Sequence, residues 1–365
     1  MMAKMVNICD VCSEIFAGGD APKNNMSIVQ TDEYNIPIYS NGEANDGLYG
    51  FTNFARVSEP SITISARGTI GYTSIRNTPF VPIVRLITLV PQKDVIDIRY
   101  LFYAAQNYHF DGSGTSIPQL TVPALKKYNF PLPTIAEQKK IVVVLDKICD
   151  LITLRKQQLL KLDELVKSRF IELFGEVETN VKGFVMKRMD ECCKFIGGAQ
   201  PDKSHFEYEK TDDNIRLIQI RDYKSDRFIT YIPKSLARKT CTASDIMIGR
   251  YGPPIFQILG GIEGAYNVAL MKAVPTAEFN TEYFRYFLKS EKLLHYLESF
   301  SQRTAGQDGI QIDKLNAYPC FVPPMELQER FVNLVEQTDK SKFEIQKSLE
   351  KLETLKKALM QKYFG

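Results

Sequence analysis

The stretch LPTIAEQKKIVVVLDKICDLITLRKQQLLKLDELVKSRFIELFG, residues 132–175, returns as VPPMELQERFVNLVEQTDKSKFEIQKSLEKLETLKKALMQKYFG, residues 322–365. A single offset of 190 aligns Pro133 with Pro323, Gln138 with Gln328, Val142 with Val332, Leu159 with Leu349 and Phe174-Gly175 with Phe364-Gly365, with no gap. Each copy opens after prolines, runs with heptad-like spacing and stops at Phe-Gly, which predicts two long helices. In the first copy Ile141, Leu145, Ile148, Ile152, Leu159, Leu162, Val166, Phe170 and Leu173 step by three or four, with one longer jump over Arg155 and Lys156. In the second, Phe331, Val335, Ile345, Leu349, Leu352, Leu355, Leu359 and Tyr363 do the same, with Thr338 and Lys342 in the weak place. Each stripe needs a partner helix. Packing the two rods, each about 55 Å long, on one another buries both stripes at about 1.5–3 kcal/mol per large side chain. Tandem copies then favour an antiparallel intramolecular coiled coil with approximate two-fold symmetry.

The duplication extends outward from the helices. VNICDVCSEIFAGGDAPK (6–23) is echoed by MKRMDECCKFIGGAQPDK (186–203). IPIYSNG (36–42) stands where IRLIQIRD (215–222) stands, and SITISARGTIGYTSI (61–75) faces DIMIGRYGPPIFQI (245–258). Alternating apolar residues in these pieces predict strands. DIRYLFYAAQNY (97–108) and the longer TEYFRYFLKSEKLLHYLESF (281–300) have helical spacing, and a polar glycine-bearing stretch follows each. The chain therefore reads as two copies of one unit of roughly 180–190 residues. The expected fold class is α+β, with two mixed α/β domains and two long helices. The boundaries are 1–131 for the first domain, 132–178 for the central helix, 179–321 for the second domain and 322–365 for the last helix.

Composition sets limits on function. Of 365 residues, 46 are basic and 43 acidic, and residues 1–131, 132–175, 176–321 and 322–365 carry −1, +2, +1 and +1. No segment is basic enough for charge alone to announce a nucleic-acid partner. Seven cysteines at irregular spacing fit free thiols in a reducing compartment. The N-terminus has no apolar signal core and no run is long enough to span a bilayer. We expect a soluble, cytoplasmic protein without membrane contact.

No phosphate-binding glycine loop, H-E-x-x-H or Asn/Asp-Pro-Pro-aromatic tetrad is present, and His109, His205 and His295 are scattered. These absences argue against an enzyme. Cys9-x-x-Cys12 and Cys192-Cys193 lack the matched spacing of a four-cysteine zinc site, so no metal is expected. Arg67 and Arg250 lie beside glycines in predicted turns, where a guanidinium can reach guanine edges or phosphates. The alternative is an ordinary surface ion pair. Ser113, Thr115, Ser116 and Gln119, and Gln302, Arg303, Thr304 and Gln307, offer mixed donors and acceptors in the polar stretches, which otherwise are solvated connectors. Asn41, Thr69, Tyr72 and Arg76 in the first copy, and Gln219, Arg221, Lys224 and Tyr251 in the second, complete the candidate DNA contacts.

LPTIAEQKKIV (132–142) with LLKLDELVKSRFIELFG (159–175), and VPPMELQERFV (322–332) with LEKLETLKKALMQKYFG (349–365), resemble type I restriction-modification specificity (S) subunits. Arg67-Gly-Thr-Ile-Gly71 is similar to that family's recognition domains. The resemblance implies two target-recognition domains, each reading half of a split site on double-stranded DNA, with the helices setting the gap. It implies a non-catalytic chain that recruits two methyltransferase (M) subunits, through Glu137, Gln138 and Gln328 at the helix starts, and restriction (R) subunits. S-adenosylmethionine and ATP with magnesium would belong to those partners, with no cofactor on this chain. The second copy departs at Leu327, which replaces Glu137, and at Arg250-Tyr251-Gly252, which replaces Arg67-Gly68. Equal docking strength at the two helix starts is therefore in question, and different half-sites are expected. The competing reading is a non-nucleic-acid scaffold carrying two binding modules on a coiled-coil spacer.

Overall fold

In the computed structural model, residues 4–108, 119–252, 254–300 and 309–365 are described. The chain divides into two units, residues 1–158 with 344–365, and residues 159–343.

The first unit holds β1 (Lys4–Asn7), β2 (Cys12–Ala17), β3 (Ile36–Tyr39), β4 (Leu48–Thr52), β5 (Ser61–Ile64), β6 (Thr73–Arg76), β7 (Val81–Pro82), β8 (Ile87–Pro91), α1 (Ile98–Asn107), α2 (Val122–Leu125), β9 (Asn129–Leu132) and the first part of α3 (Ile135–Phe174). One antiparallel sheet has the order β2-β8-β5-β6. A second has the order β4-β3-β7, antiparallel between β3 and β4 and parallel between β3 and β7. β1 pairs with β9, which ties the N-terminus to the start of α3. Asp97, the N-cap of α1, accepts from the backbone N–H groups of Arg99 and Tyr100. The core joins Ile62, Ile64 and Leu89 of the sheet to Tyr100, Leu101 and Ala104 of α1. Val142 and Leu145 of α3 complete it, with Met360 and Phe364 from the end of the chain.

The second unit contains β10 (Val185–Arg188), α4 (Met189–Cys192), β11 (Cys193–Gly197), β12 (Asn214–Ile218), β13 (Tyr231–Pro233), β14 (Thr240–Cys241), β15 (Ile246–Gly249), β16 (Gln257–Leu259), β17 (Gly264–Tyr266), β18 (Leu270–Pro275), α5 (Thr281–Leu288), α6 (Glu291–Ser299), α7 (Ile312–Ala317), β19 (Pro319–Val322) and most of α8 (Met325–Phe364) up to Phe343. Its sheets run β11-β18-β15-β16 and β13-β12-β17-β14, and β10 pairs with β19. β12 is antiparallel to β13 and parallel to β17, as β3 is to β4 and β7. The expected single helix over 281–300 is instead α5 and α6, interrupted at Lys289-Ser290. The break lets Leu293 and Leu297 enter the same core as Phe284 and Phe287. A close backbone approach at the first glycine turn also recurs. A Cβ on Gly18 would lie 2.6 Å from the Pro82 carbonyl, and one on Gly198 would lie 2.0 Å from the Asn267 carbonyl oxygen.

The Phe-Gly ends now have a physical meaning. Gly175 adopts φ +73° and its N–H donates to Ile171 O at 2.7 Å, the left-handed stop that glycine favours. Phe174 is fully buried, with its ring 4.8 Å from Tyr283 and 5.7 Å from Phe331. Phe364 is buried in the first unit, 5.0 Å from the equivalent Tyr100. In the first unit Lys156 meets Glu353 at 3.5 Å, and Val142 and Leu145 share a cluster with Met360 and Phe364. In the second, Lys342 reaches Asp163 at 2.5 Å, and Val166 shares a cluster with Phe331, Val332 and Val335. Within each unit, therefore, an early piece of one helix meets a late piece of the other, an antiparallel match. Lys342, in the weak place of the seam, is spent on one of these ion pairs.

Candidate nucleic-acid interface

The turn after β5 carries the first candidate set. Gly68 and Gly71 adopt φ +70° and +87°, and Ser65 N donates to Tyr72 O at 2.8 Å. This turn lifts Arg67 into solvent. The Arg67 Nε and one terminal nitrogen donate to Gln119 Oε1 at 3.0 and 2.8 Å, so two candidates 52 residues apart meet. Leu120 N donates to Ala66 O at 2.9 Å and ties the exit of the first polar stretch to the same turn. Thr69 is exposed at its tip.

Three other candidates have structural work instead. Asn41 Oδ1 accepts from Ala66 N at 2.7 Å and its amide donates to Val84 O, so the side chain is used within the fold. Arg76 was expected to face DNA, yet its side chain is only 4% exposed. It is ion-paired with Asp46, donates to Thr63 Oγ1 at 3.1 Å and lies 3.6 Å over the Tyr39 ring. It organises the unit from within and cannot touch a base from there. Tyr72 donates its hydroxyl to the same Asp46 at 3.0 Å. Burial alone would raise the Asp46 pKa. Hydrogen bonds from Ser74, Tyr72 and Arg76, together with the Arg76 charge, outweigh it and hold the carboxyl below the usual carboxylate range. Sequence reasoning missed Asp46. Its signal was the Asn45-Asp46-Gly47 turn, in which all three residues have positive φ.

The second unit repeats the plan with other side chains. Arg250 O accepts from Ile310 N at 3.2 Å, as Ala66 O accepts from Leu120 N. Tyr251 bridges to Gly309, and the Arg250 guanidinium lies 5.3 Å from the Tyr251 ring. Arg250 donates to Val268 O at 3.4 Å, while its Nε is buried without a partner. Gln219 donates to Thr230 Oγ1 at 3.3 Å, Arg221 is largely exposed and donates to Phe228 O at 3.4 Å, and Lys224 is exposed. Ser113, Thr115, Ser116, Gln302, Arg303, Thr304 and Gln307 lie outside the described residues.

The helix starts correct the docking expectation. Gln138 is fully buried. Its oxygen accepts from Asp97 N at 2.8 Å, and its amide donates to Val95 O at 3.3 Å and Pro133 O at 2.9 Å. Gln328 repeats this with Asn280 N at 2.8 Å, Glu278 O at 2.9 Å and Pro323 O at 2.9 Å. Both amides are saturated inside their own units, so neither side chain faces a partner. Glu137 is exposed and accepts from Thr134 N and Oγ1 at 3.0 and 2.8 Å, while Glu137 N donates back to Thr134 Oγ1 at 3.4 Å. This is a capping box, and these bonds lower the carboxyl pKa. The second copy has Pro324 and Leu327 at those positions and cannot build one.

Among the described residues, no group of three or more His, Cys, Asp or Glu could hold a metal ion. The seven cysteines are unbridged, five of them buried, Cys149 half-buried and Cys9 exposed. Burial, with Cys9 adding a smaller effect, pushes the Cys12 thiol up to about 12. No described helix is long and apolar enough to cross a membrane.

The sequence model of the type I restriction modification DNA specificity domain matches residues 3–164. A putative type I specificity subunit of Mycoplasma pneumoniae is 35% identical over 150 residues, covering 41% of this chain and 44% of that protein. A second M. pneumoniae sequence, the C-terminus of a putative type I specificity subunit, is 43% identical over 98 residues, 27% of this chain and 67% of its own length. The chain belongs to the type I specificity subunit family. The MjaIX specificity subunit of Methanocaldococcus jannaschii extends the match of this S-family chain to 83% of its length and 76% of that protein, at 23% identity. The crystal structure of the S subunit from M. genitalium shares the fold, with a TM-score of 0.60 at 15% identity over 99% of this chain and 96% of that one. The matched region spans less than half of the first M. pneumoniae relative.

Proposed function

We propose that this chain is the DNA sequence-specificity subunit of a type I restriction-modification complex. Residues 1–131 and 179–321 act as target-recognition domains, each reading one half of a bipartite site. The observation that carries this reading is the repeated turn. In each unit an arginine-bearing loop after a central strand is joined by a backbone hydrogen bond to the exit of a polar stretch, Ala66 to Leu120 and Arg250 to Ile310. The scaffold is common and the displayed side chains differ, as two readers of unlike half-sites require. Exposed guanidinium groups suit guanine O6 and N7 or phosphate oxygens, and amides suit adenine.

The long helices, residues 132–178 and 322–365, form an antiparallel intramolecular coiled coil with pseudo-two-fold symmetry and set the spacer. The matched helix pieces inside each unit support this pairing. Half-sites about one duplex turn apart, roughly 34 Å, present the same face of DNA. Two M subunits dock on outer helix faces, where Val143, Leu151 and Leu154 stand exposed. Methyl transfer and cleavage belong to the M and R subunits, which bind S-adenosylmethionine and ATP with magnesium. This chain supplies recognition without catalysis, in the cytoplasm.

The test is adenine-methylation mapping in cells that express this chain with its M partner. One bipartite motif with a fixed gap is the expected result. No motif, together with no salt-dependent retention of the complex on duplex DNA, returns the scaffold reading.

A further inference from the structure

The hairpin from β7 to β8 turns at Val84-Arg85, against the preference of both residues. Leu86 N donates to Ile83 O at 3.0 Å, and Val84 and Arg85 between them adopt φ +52° and +67°. Positive φ at both central positions is the type I′ pattern, which favours Asn-Gly. A β-branched residue there is an outlier, and left-handed backbone is unfavourable for any residue with a Cβ. Such strain persists only where the surroundings enforce it, and it gathers at ligand-binding sites.

The surroundings here do enforce it. Val84 N donates to Gly19 O at 2.7 Å and Arg85 N to Gly18 O at 3.1 Å. Val84 O accepts from the Asn41 amide, whose oxygen accepts from Ala66 N at 2.7 Å. One side-chain amide therefore joins this turn to the turn that displays Arg67. Arg85 stands exposed. Among the described residues it has no ion pair and no side-chain hydrogen bond, Asp20 beyond the glycine pair included. Asp46 is already engaged by Tyr72, Ser74 and Arg76.

The second unit keeps the hairpin and lacks both strain and charge. Gly198 N donates to Leu270 O as Gly18 N does to Leu86 O, and Leu270 N donates to Asn267 O at 3.0 Å. Val268-Ala269 thus stands where Val84-Arg85 does, and neither residue has positive φ. The link to the reading loop persists, since Arg250 donates through its side chain to Val268 O and through its N–H to Ala269 O at 2.9 Å. A hairpin that touches the candidate interface in both units carries strain and an unpaired cation together in only one.

We propose that Arg85 is a DNA-backbone contact of the first recognition domain, its guanidinium neutralising a phosphate beside the half-site to which Arg67 is displayed. Two hydrogen bonds to Gln119 fix the Arg67 guanidinium, which suits a base edge, whereas that of Arg85 is unbraced, which suits a phosphate oxygen. This rests on the reading of the chain as a DNA specificity subunit. The test measures binding of the full chain with its M subunits to duplexes carrying the mapped motif, across salt concentration. Arg85→Ala should weaken binding about tenfold at fixed salt and lower the salt slope by about one counterion. The loss should be the same factor on a duplex whose first half-site is scrambled. A neutral methylphosphonate placed singly along the first half should weaken wild-type binding at one position where the Arg85→Ala complex no longer responds. The double variant Val84→Asn, Arg85→Gly relaxes the turn, so it should melt above wild type and yet bind as Arg85→Ala does. A wild-type salt slope and methylphosphonate profile in Arg85→Ala overturn the assignment. So does a changed base preference at an unchanged slope, which marks a base reader. Binding loss that follows a lowered melting temperature in both variants marks a structural role and overturns it too. A wild-type complex that fails to prefer its motif over scrambled duplex instead defeats the specificity reading, and this contact with it.

Discussion

At the residue scale, the sharpest contrast is between what Gln138 and Gln328 promise in sequence and what they do. Each is a repeated polar residue at a helix start, and that pattern is consistent with docking. Burial and three saturating hydrogen bonds make each one a clasp between its helix and the loop before α1 or α5. Gln138→Leu strands the Asp97 N–H and two carbonyls, and should cost on the order of 2–3 kcal/mol. A lower melting temperature with unchanged M-subunit affinity per folded molecule is expected. An unchanged melt with lost M binding would restore the docking role. Asp46 makes a second case, through pH. Its folded pKa lies below the unfolded value, so its contribution is present above the usual carboxylate range and is lost as pH falls through the folded value. Asp46→Asn should therefore be less stable than wild type at neutral pH, with the difference closing under acid in denaturation curves taken across pH. The exposed Arg67 was legible in sequence because glycine turns announce themselves. The burial of Arg76 was not, because only the fold reveals that Asp46 lies within its reach.

At the element scale, the two long helices were the most legible feature. Proline starts, a three-four stripe and a Phe-Gly stop agree over 40 residues in each copy. The strands were legible through alternation, and the matching order of the sheets β2-β8-β5-β6 and β11-β18-β15-β16 follows the matched sequence pieces, whereas β14 in the other sheet has no counterpart in the first unit. The break at Lys289-Ser290 was hidden because TEYFRYFLKSEKLLHYLESF holds no glycine or proline, and tertiary packing of Leu293 and Leu297 decides it. Equally hidden was what each helix end packs against. Phe364 closes the core of the first unit against Tyr100 although more than 200 residues of chain separate them. Phe364→Ala removes a buried ring and should destabilise that unit by about 3–5 kcal/mol. Hydrogen exchange should show lost protection in α1, residues 98–107, with residues 281–288 unaffected. Equal loss in both would mean that the units do not respond separately.

At the scale of the whole molecule, a repeated scaffold with unlike displayed side chains is what the proposed reading of two half-sites requires. If the scaffold is shared and the displayed side chains carry the information, recognition should be modular. Exchanging residues 1–131 for the corresponding domain of another specificity chain should change one half of the methylated motif and leave the other half and the gap intact. The gap itself should answer to the helices. Four residues inserted beside Arg155 add about 6 Å of helix, close to two base pairs at about 3.4 Å each. A matching insertion in α8 beside Glu353, which Lys156 meets across the pair, keeps the paired stripes in contact. Methylome mapping of the doubly inserted chain should then return both half-sites unchanged across a longer spacer. The reason is mechanical: a stiff spacer supplies the second reader at high effective concentration only where its length matches the separation of the half-sites. An unaltered gap would show that DNA or the M subunits set the spacing, and that the helices merely connect the two readers.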